Sequence, residues 1–395
     1  MRNFLTRGVT LLVALAFVAA GAAGAAASGH RYVRISASGD HTCALTSLGK
    51  AYCWGNNYSG QLGDGTTNAS NQNGPRAVIG GRTFSSISAG EGHTCAITAS
   101  GRAYCWGTNY DGQLGDGTTS PSFQSGPQAV IGGHRFASIS AGDYFTCALT
   151  SLGKAYCWGT NEGGHLGDGT TNDSNQNGPQ AVIGSFTFAR ISAGDDHTCA
   201  LTSRGTVHCW GVNSWGELGD GTTVDSGVNG PQAVIGGHSF ASISVSRDGG
   251  DAHTCALNAL GKAHCWGRNN SGQLGDGTTN DSNQNGPQAV IGGRTFVSVR
   301  AGEDFTCALT ARGKAYCWGD NAFAQLGDGT AVDSGVNGPQ AVIGGRTFAS
   351  ISAGDDHTCG LTRRGVAYCW GYNLFGQLGD GTTVDSGVNG PQRVQ

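Results

Sequence analysis

Charge is scarce in this chain, and what there is of it is dispersed. Only 13% of the 395 residues are charged, 23 Lys and Arg against 27 Asp and Glu, and no lysine or arginine run occurs. That excludes the basic footprint a phosphate backbone demands, so no nucleic-acid partner is expected. Helical periodicity is not sustained anywhere and proline is limited to 8 residues, which leaves an all-β fold rich in tight turns. Catalytic signatures are missing as well. There is no GxSxG and no HExxH, and the histidines recur once per repeat without a matching nucleophile, so no catalytic or metal-binding residue is assigned and an enzyme is not expected. The one long apolar run, Val9 to Ala20, follows Arg2 and Arg7 and dilutes into Ala25-Ala26-Ala27-Ser28. That is the pattern of a cleaved secretory signal over residues 1–27, with no membrane span in the mature chain 28–395 and export to the extracellular space or periplasm.

Glycine and cysteine are abundant, at 70 and 14 residues, and both follow a repeat. A segment close to HTCALTSLGKAYCWGNNYSGQLGDGTT recurs seven times, with its first cysteine at Cys43, Cys95, Cys147, Cys199, Cys255, Cys307 and Cys359. The period is 52 residues, broken by one step of 56. A fixed period of this size marks a propeller or solenoid, in which no unit can bury its apolar surface alone. Seven units filling 28–395 therefore make one domain, expected to be a monomer.

Within a unit, four segments have strand character, as in Phe84 to Ala89, Thr94 to Thr98, Ala103 to Gly107 and Gln128 to Ile131. The second and third are joined by a short glycine-containing turn such as Ser47-Leu48-Gly49-Lys50, the mark of a hairpin. A hairpin centred at residue 48 sets Cys43 opposite Cys53, and directly opposed residues lie near disulfide reach. The same arithmetic pairs Cys95 with Cys105, Cys147 with Cys157, Cys199 with Cys209, Cys255 with Cys265, Cys307 with Cys317 and Cys359 with Cys369. Zinc is the competing use of His and Cys, but Phe145 and Phe305 replace the histidine while their cysteines remain. Tryptophan in all seven WG pairs reads as packing between units. The chain starts with the strand Tyr32 to Ser36 and ends just after Pro391 to Val394, so the terminal strands are expected to close the ring, Val33 and Ile35 joining the last unit.

At GxxHTCAL, AYCWGxNxxGQLGDG and the following GPxAV, the sequence resembles the repeats of the regulator of chromosome condensation family. The resemblance covers nearly the whole mature chain and implies a seven-bladed β-propeller. The family's nuclear founder is a guanine-nucleotide exchange factor on chromatin. A signal sequence, seven cysteine pairs and the lack of a basic arm argue against carrying that activity over. The family also includes a secreted bacterial inhibitor of β-lactamases that binds through the loops of one face, to which this chain is similar in compartment and blade number.

Differences among the copies concentrate in two connections that share one face. Between the first and second strands stand Asp40, Glu91, Asp143-Tyr144-Phe145, Asp195-Asp196, Arg247-Asp248 through Asp251, Glu303-Asp304 and Asp355-Asp356. After WGxN stand Tyr58, Tyr110, Trp215, Phe323 and Phe375. Exposed aromatics beside carboxylates form a recognition palette, which makes a secreted non-enzymatic binding protein with a protein partner the expected function. A glycan- or envelope-binding module using Tyr58, Tyr110, Trp215 and Phe323 as stacking surfaces is the alternative. No cofactor is expected, and Ca²⁺ is the one ion for which ligand oxygens are at hand, in Asp168 to Asn175, although the spaced carboxylates of an EF-hand loop are missing.

Overall fold

The computed structural model describes residues 30–68, 72–174, 178–247 and 252–395. The signal-like segment 1–27, Asp248 and Asp251 lie outside the described residues. Seven antiparallel sheets follow one another along the chain, each made of four consecutive strands in order. Blade 1 is Tyr32–Ser38, His41–Thr46, Ala51–Gly55 and Gln72–Ala77. Blade 7 is Ser350–Ala353, His357–Leu361, Ala367–Gly371 and Gln392–Arg393. The first strands of adjacent blades lie against one another all the way round, and that inner ring lines a central channel.

The seams between blades, not a single centre, hold the core. Cys43, Leu45, Ala51 and Cys53 of blade 1 bury against Phe84, Ala96 and Trp106 of blade 2, while Ala44 and Trp54 turn to blade 7. A strand alternates its faces, so one hairpin serves two seams. All seven WG tryptophans are fully buried, and each indole donates to a backbone carbonyl of the preceding blade at 2.9–3.0 Å, as Trp106 Nε1 does to Gln61 O. The glycine of QLG makes room for that ring: at Gly63, with φ 66°, a Cβ would meet Trp106 Nε1 at 2.6 Å. The seven disulfides join directly opposed residues in every hairpin, at Cα separations of 4.1 Å, as the hairpin arithmetic required.

Closure departs from expectation in one respect. Val33 and Ile35 do not join the last blade: Tyr32–Ser38 pairs with His41–Thr46 across the turn at Gly39-Asp40, and the last blade supplies its own four strands. Pairing with the immediate chain neighbour costs the least loop-closure entropy. The terminal strands close the ring by packing, Tyr32 and Ala37 against Cys359, Leu361 and Val394, with the Tyr32 amide donating to Gly365 O at 2.9 Å.

The fourth strand, expected at Gln128 to Ile131 in blade 2, is Ser120–Ala129 there and only a dipeptide such as Gln180–Ala181 in blades 3 to 7. In blades 1 to 6 it ends before the isoleucine, whose amide pins the GDG loop, as Ile183 N does on Gly167 O at 2.9 Å. The asparagine of WGxN organises that loop. Asn213 is fully buried, accepts from Leu218 N at 2.9 Å and donates to Asp220 Oδ1, Thr222 O and Thr222 Oγ1 at 3.1 Å each. Replacing Asn213 with Ala removes the acceptor of the Leu218 amide and the donor to Thr222 O, while Asp220 and the Thr222 hydroxyl keep each other, so a loss of about 2–4 kcal/mol is expected in denaturant melts. The oxygens considered for calcium are engaged in the same way, Asp168 Oδ1 accepting from Thr170 N and Oγ1 at 2.9 Å. Asn175 lies outside the described residues.

Candidate functional site

The two variable connections do share a face. The Gln side chain of one blade's QLG loop donates to the tip of the next blade: Gln273 to Asp304 at 2.9 Å, Gln325 to Asp356 at 3.3 Å and Gln377 to Asp40 at 3.4 Å. The loops of blades 5, 6 and 7 are thereby tied to their neighbours.

The tips divide into two classes. In one class the side chains turn inward around the channel mouth. Arg247 lines the channel and donates to Ala89 O of blade 2, so it crosses the ring. Asp143 is buried, and its pKa is raised well above the carboxylate range by burial and then by the charges of Asp355, Asp195 and Glu91, with Arg247 opposing. Asp355 is pushed up to about 7 by burial although it accepts the Gly39 amide at 3.0 Å, and Asp40 rises to about 6, also through burial. Asp195 is buried too. Asp143 and Asp195 therefore do not present carboxylates to a partner, contrary to the sequence reading, because the tip leans over the axis. Glu91 is exposed and Asp196, Glu303, Asp304 and Asp356 are half-buried at the rim.

Phe145 is a second correction. It begins the second strand of blade 3, at the position of the histidine in HTC, and is fully buried with its ring stacked on His165 at 5.0 Å. Only Tyr144 before it reaches solvent. Trp215 is half-buried because Arg268 lies over its ring at 3.8 Å and is tied to Asp281 at 3.6 Å, so it is no open stacking surface. Tyr110 is exposed but stands apart, edge-on to Phe123 at 5.9 Å.

The other aromatics converge. Phe323 of blade 6 meets Tyr372 of blade 7 at 4.8 Å, Tyr372 meets Phe375 at 6.3 Å, and Phe375 meets Tyr58 of blade 1 at 6.4 Å. Tyr58 is 52% exposed, Leu374 53% and Phe323 37%, so an apolar arc crosses three blades and the seam where the chain ends meet. Asp40 and Asp356 flank it, and their charges act on Tyr372. Sequence reasoning missed Tyr372, which occupies the variable position inside WGxN. Comparing that one position across copies (Asn56, Thr108, Thr160, Val212, Arg268, Asp320 and Tyr372) would have shown it.

On the opposite face, arginines between blades are already in use. Arg82, Arg294 and Arg346 each lie over a tyrosine at 4.5 Å, respectively Tyr104, Tyr316 and Tyr368.

Seven consecutive blades around a channel, with one loop-built face, define a seven-bladed β-propeller scaffold. The chain belongs to the RCC1-like domain family: that family's profile matches residues 18–343, and the regulator of chromosome condensation (RCC1) repeat matches residues 348–377. It is 31% identical to the ultraviolet-B receptor UVR8 of Arabidopsis thaliana over 352 residues, covering 89% of this chain and 79% of the receptor. Identity to the regulator of chromosome condensation of Xenopus laevis is 28% over 352 residues, covering 84% and 82%. The human E3 ubiquitin-protein ligase HERC2 is 30% identical over 87% of this chain, which spans 7% of that ligase. Among solved structures, human WBSCR16 superposes with a TM-score of 0.76 at 22% identity, covering 88% of this chain and 94% of that one. Prp20p of Saccharomyces cerevisiae gives 0.76 at 24% identity, covering 89% and 87%. At these identities the two structures speak for the fold alone.

Proposed function

We propose that this chain is an exported, non-catalytic binding protein whose loop face engages a protein partner through the arc Phe323, Tyr372, Phe375 and Tyr58. The observation that carries this reading is the continuity of the arc: three blades contribute one exposed apolar strip with acidic flanks, where drift in independent loops would scatter aromatics singly. Seven disulfides fit an oxidising compartment, in keeping with the signal-like residues 1–27. Yeast Prp20p, of the same fold, has been solved bound to Kap60 and characterised for binding Gsp1p and histones, so propellers of this shape serve protein recognition. The raised pKa values of Asp143 and Asp355 follow from burial first and neighbouring carboxylates second, with Arg247 opposing, which accounts for them without catalysis.

The test is affinity capture from culture medium with mature protein. A variant carrying Tyr58→Ala, Phe323→Ala and Phe375→Ala should lose the captured partner, whereas Leu48→Ala with Leu152→Ala, exposed on the opposite face, should keep it. Equal capture by both variants would sink the arc as the binding site. A glycan array positive for the wild type and negative for the arc variant would redirect the reading to carbohydrate.

A further inference from the structure

The inner ring carries a pattern with one break in it. In six blades a serine hydroxyl, from Ser36 in blade 1 to Ser352 in blade 7, accepts the amide of the next blade's first strand at 2.9–3.2 Å. Each such hydroxyl, having accepted, still has its own proton to donate. In blade 6 the serine is replaced by Arg300, so no hydroxyl stands opposite the Ala353 amide. Arg300 instead lines the channel with Arg190, and its guanidinium donates to Val299 O of its own strand at 2.8 Å. Arg190 likewise stands where five blades place Ser86, Ser138, Ser242, Ser298 and Ser350; blade 1 has Arg34 there, but of the two arginines it is Arg190 that lines the channel.

Burial, Arg190 and Arg247 all lower the proton affinity of Arg300, and among the described residues no carboxylate is set against it. The carboxylates of the mouth act on Arg247 instead. The lumen here has a volume of about 340 Å³ and is walled by isoleucines, serines and these arginines. A cavity that holds like charges together beside a ring of hydroxyls is matched to one ligand chemistry.

We propose that the central channel binds a small oxyanion between Arg300 and Arg190, with hydroxyls of the serine ring as further donors. Phosphate, sulfate and a carboxylate, whether free or on an acidic side chain, share the required acceptor geometry. A guanidinium offers two parallel donors to any of them.

The repeat itself supplies the control, since Arg300→Ser writes the residue of the other six blades into the seventh. Thermal unfolding of the full mature protein would be followed against phosphate, sulfate and acetate, each compared with chloride at equal ionic strength. The wild type should be stabilised saturably by phosphate and sulfate. Arg300→Ser should be at least as stable as the wild type in chloride, having gained the seventh hydroxyl, and should bind phosphate about tenfold more weakly or worse. Arg190→Ser should lose part of the affinity. A response to acetate equal to that of phosphate would mark a carboxylate as the natural occupant, and a response to the tetrahedral anions alone would mark a free oxyanion. The proposal fails if wild type and Arg300→Ser respond alike, which is general salt exclusion, or if Arg300→Ser is less stable in chloride, which makes Arg300 a structural residue.

Discussion

Complete reduction of the seven cross-strand disulfides is expected to lower the melting temperature by about 20 °C. Each bridge spans ten positions in sequence, and closing so short a loop restricts the unfolded chain by somewhat under ~3 kcal/mol in the chain-entropy account. Seven such terms approach or exceed the net stability of ordinary domains, about 5–15 kcal/mol, even after allowance for non-additivity. The cystines also sit in every seam beside the tryptophan of the next blade, as Cys43 and Cys53 do beside Trp106, so no blade escapes the effect. Intact mass should rise by two hydrogen atoms per bridge on treatment with a thiol reductant, and the melt of the fully reduced species then gives the result. A reduced protein melting within a few degrees of the oxidised one would show that seam packing alone holds the ring. Alkylation of thiols without reductant would remove the disulfides themselves.

The hairpin pairing was legible because it is local: a turn centre and an alternation are enough to oppose Cys43 and Cys53, and to send Trp54 to the other face. Phase was harder to read. The repeat already puts Phe145 at the histidine position, but only the strand register, with Phe145 opposite Gly159, shows that this position begins a strand and is not the last of three loop residues. Direction around the axis was not legible at all, because whether Asp143 and Asp195 point at solvent or over the channel depends on the tilt of a closed ring. The aromatic arc needs the same closure. Phe323, Tyr372 and Phe375 come from the end of the chain and Tyr58 from its start, and they form one surface only where blade 7 meets blade 1. Arg300 was visible as a letter but carried no meaning until the hydrogen bond that its serine counterparts make was seen.

Acidification should unfold the propeller progressively below about pH 6, and the cause is a ring of histidines that cannot take a proton while folded. His41, His93, His197, His253 and His357 are fully buried, and each Nε2 meets a threonine hydroxyl of the next blade at 2.8–2.9 Å. Burial, above all, lowers their pKa values to about 3, and that of His165 to about 4. The unfolded chain protonates these groups below about pH 6.5 and the native state does not, so each subtracts about 1.4 kcal/mol per pH unit across that window. The raised carboxylates work the other way. Asp355 and Glu217 at about 7, Asp40 at about 6 and Asp143 hold protons in the native state where the unfolded chain has released them. Their contribution favours folding as pH falls from 7 toward 4, and it fades as the unfolded carboxylates protonate in turn. Six groups against four leaves about two to three protons taken up on unfolding between pH 5 and 4, or roughly 3–4 kcal/mol per pH unit. Stability should therefore peak near pH 6.5–7 and fall by about 6–8 kcal/mol by pH 4, enough to unfold a domain at the lower end of the usual range of about 5–15 kcal/mol. The molecule contains its own control, because Phe145 and Phe305 already fill the histidine position in two blades. His253→Phe should fold, and in denaturant melts from pH 7 to 4 its stability should fall about 1.4 kcal/mol per pH unit less steeply than that of the wild type. Identical slopes for the two proteins would mean that the buried histidines do not set the acid transition.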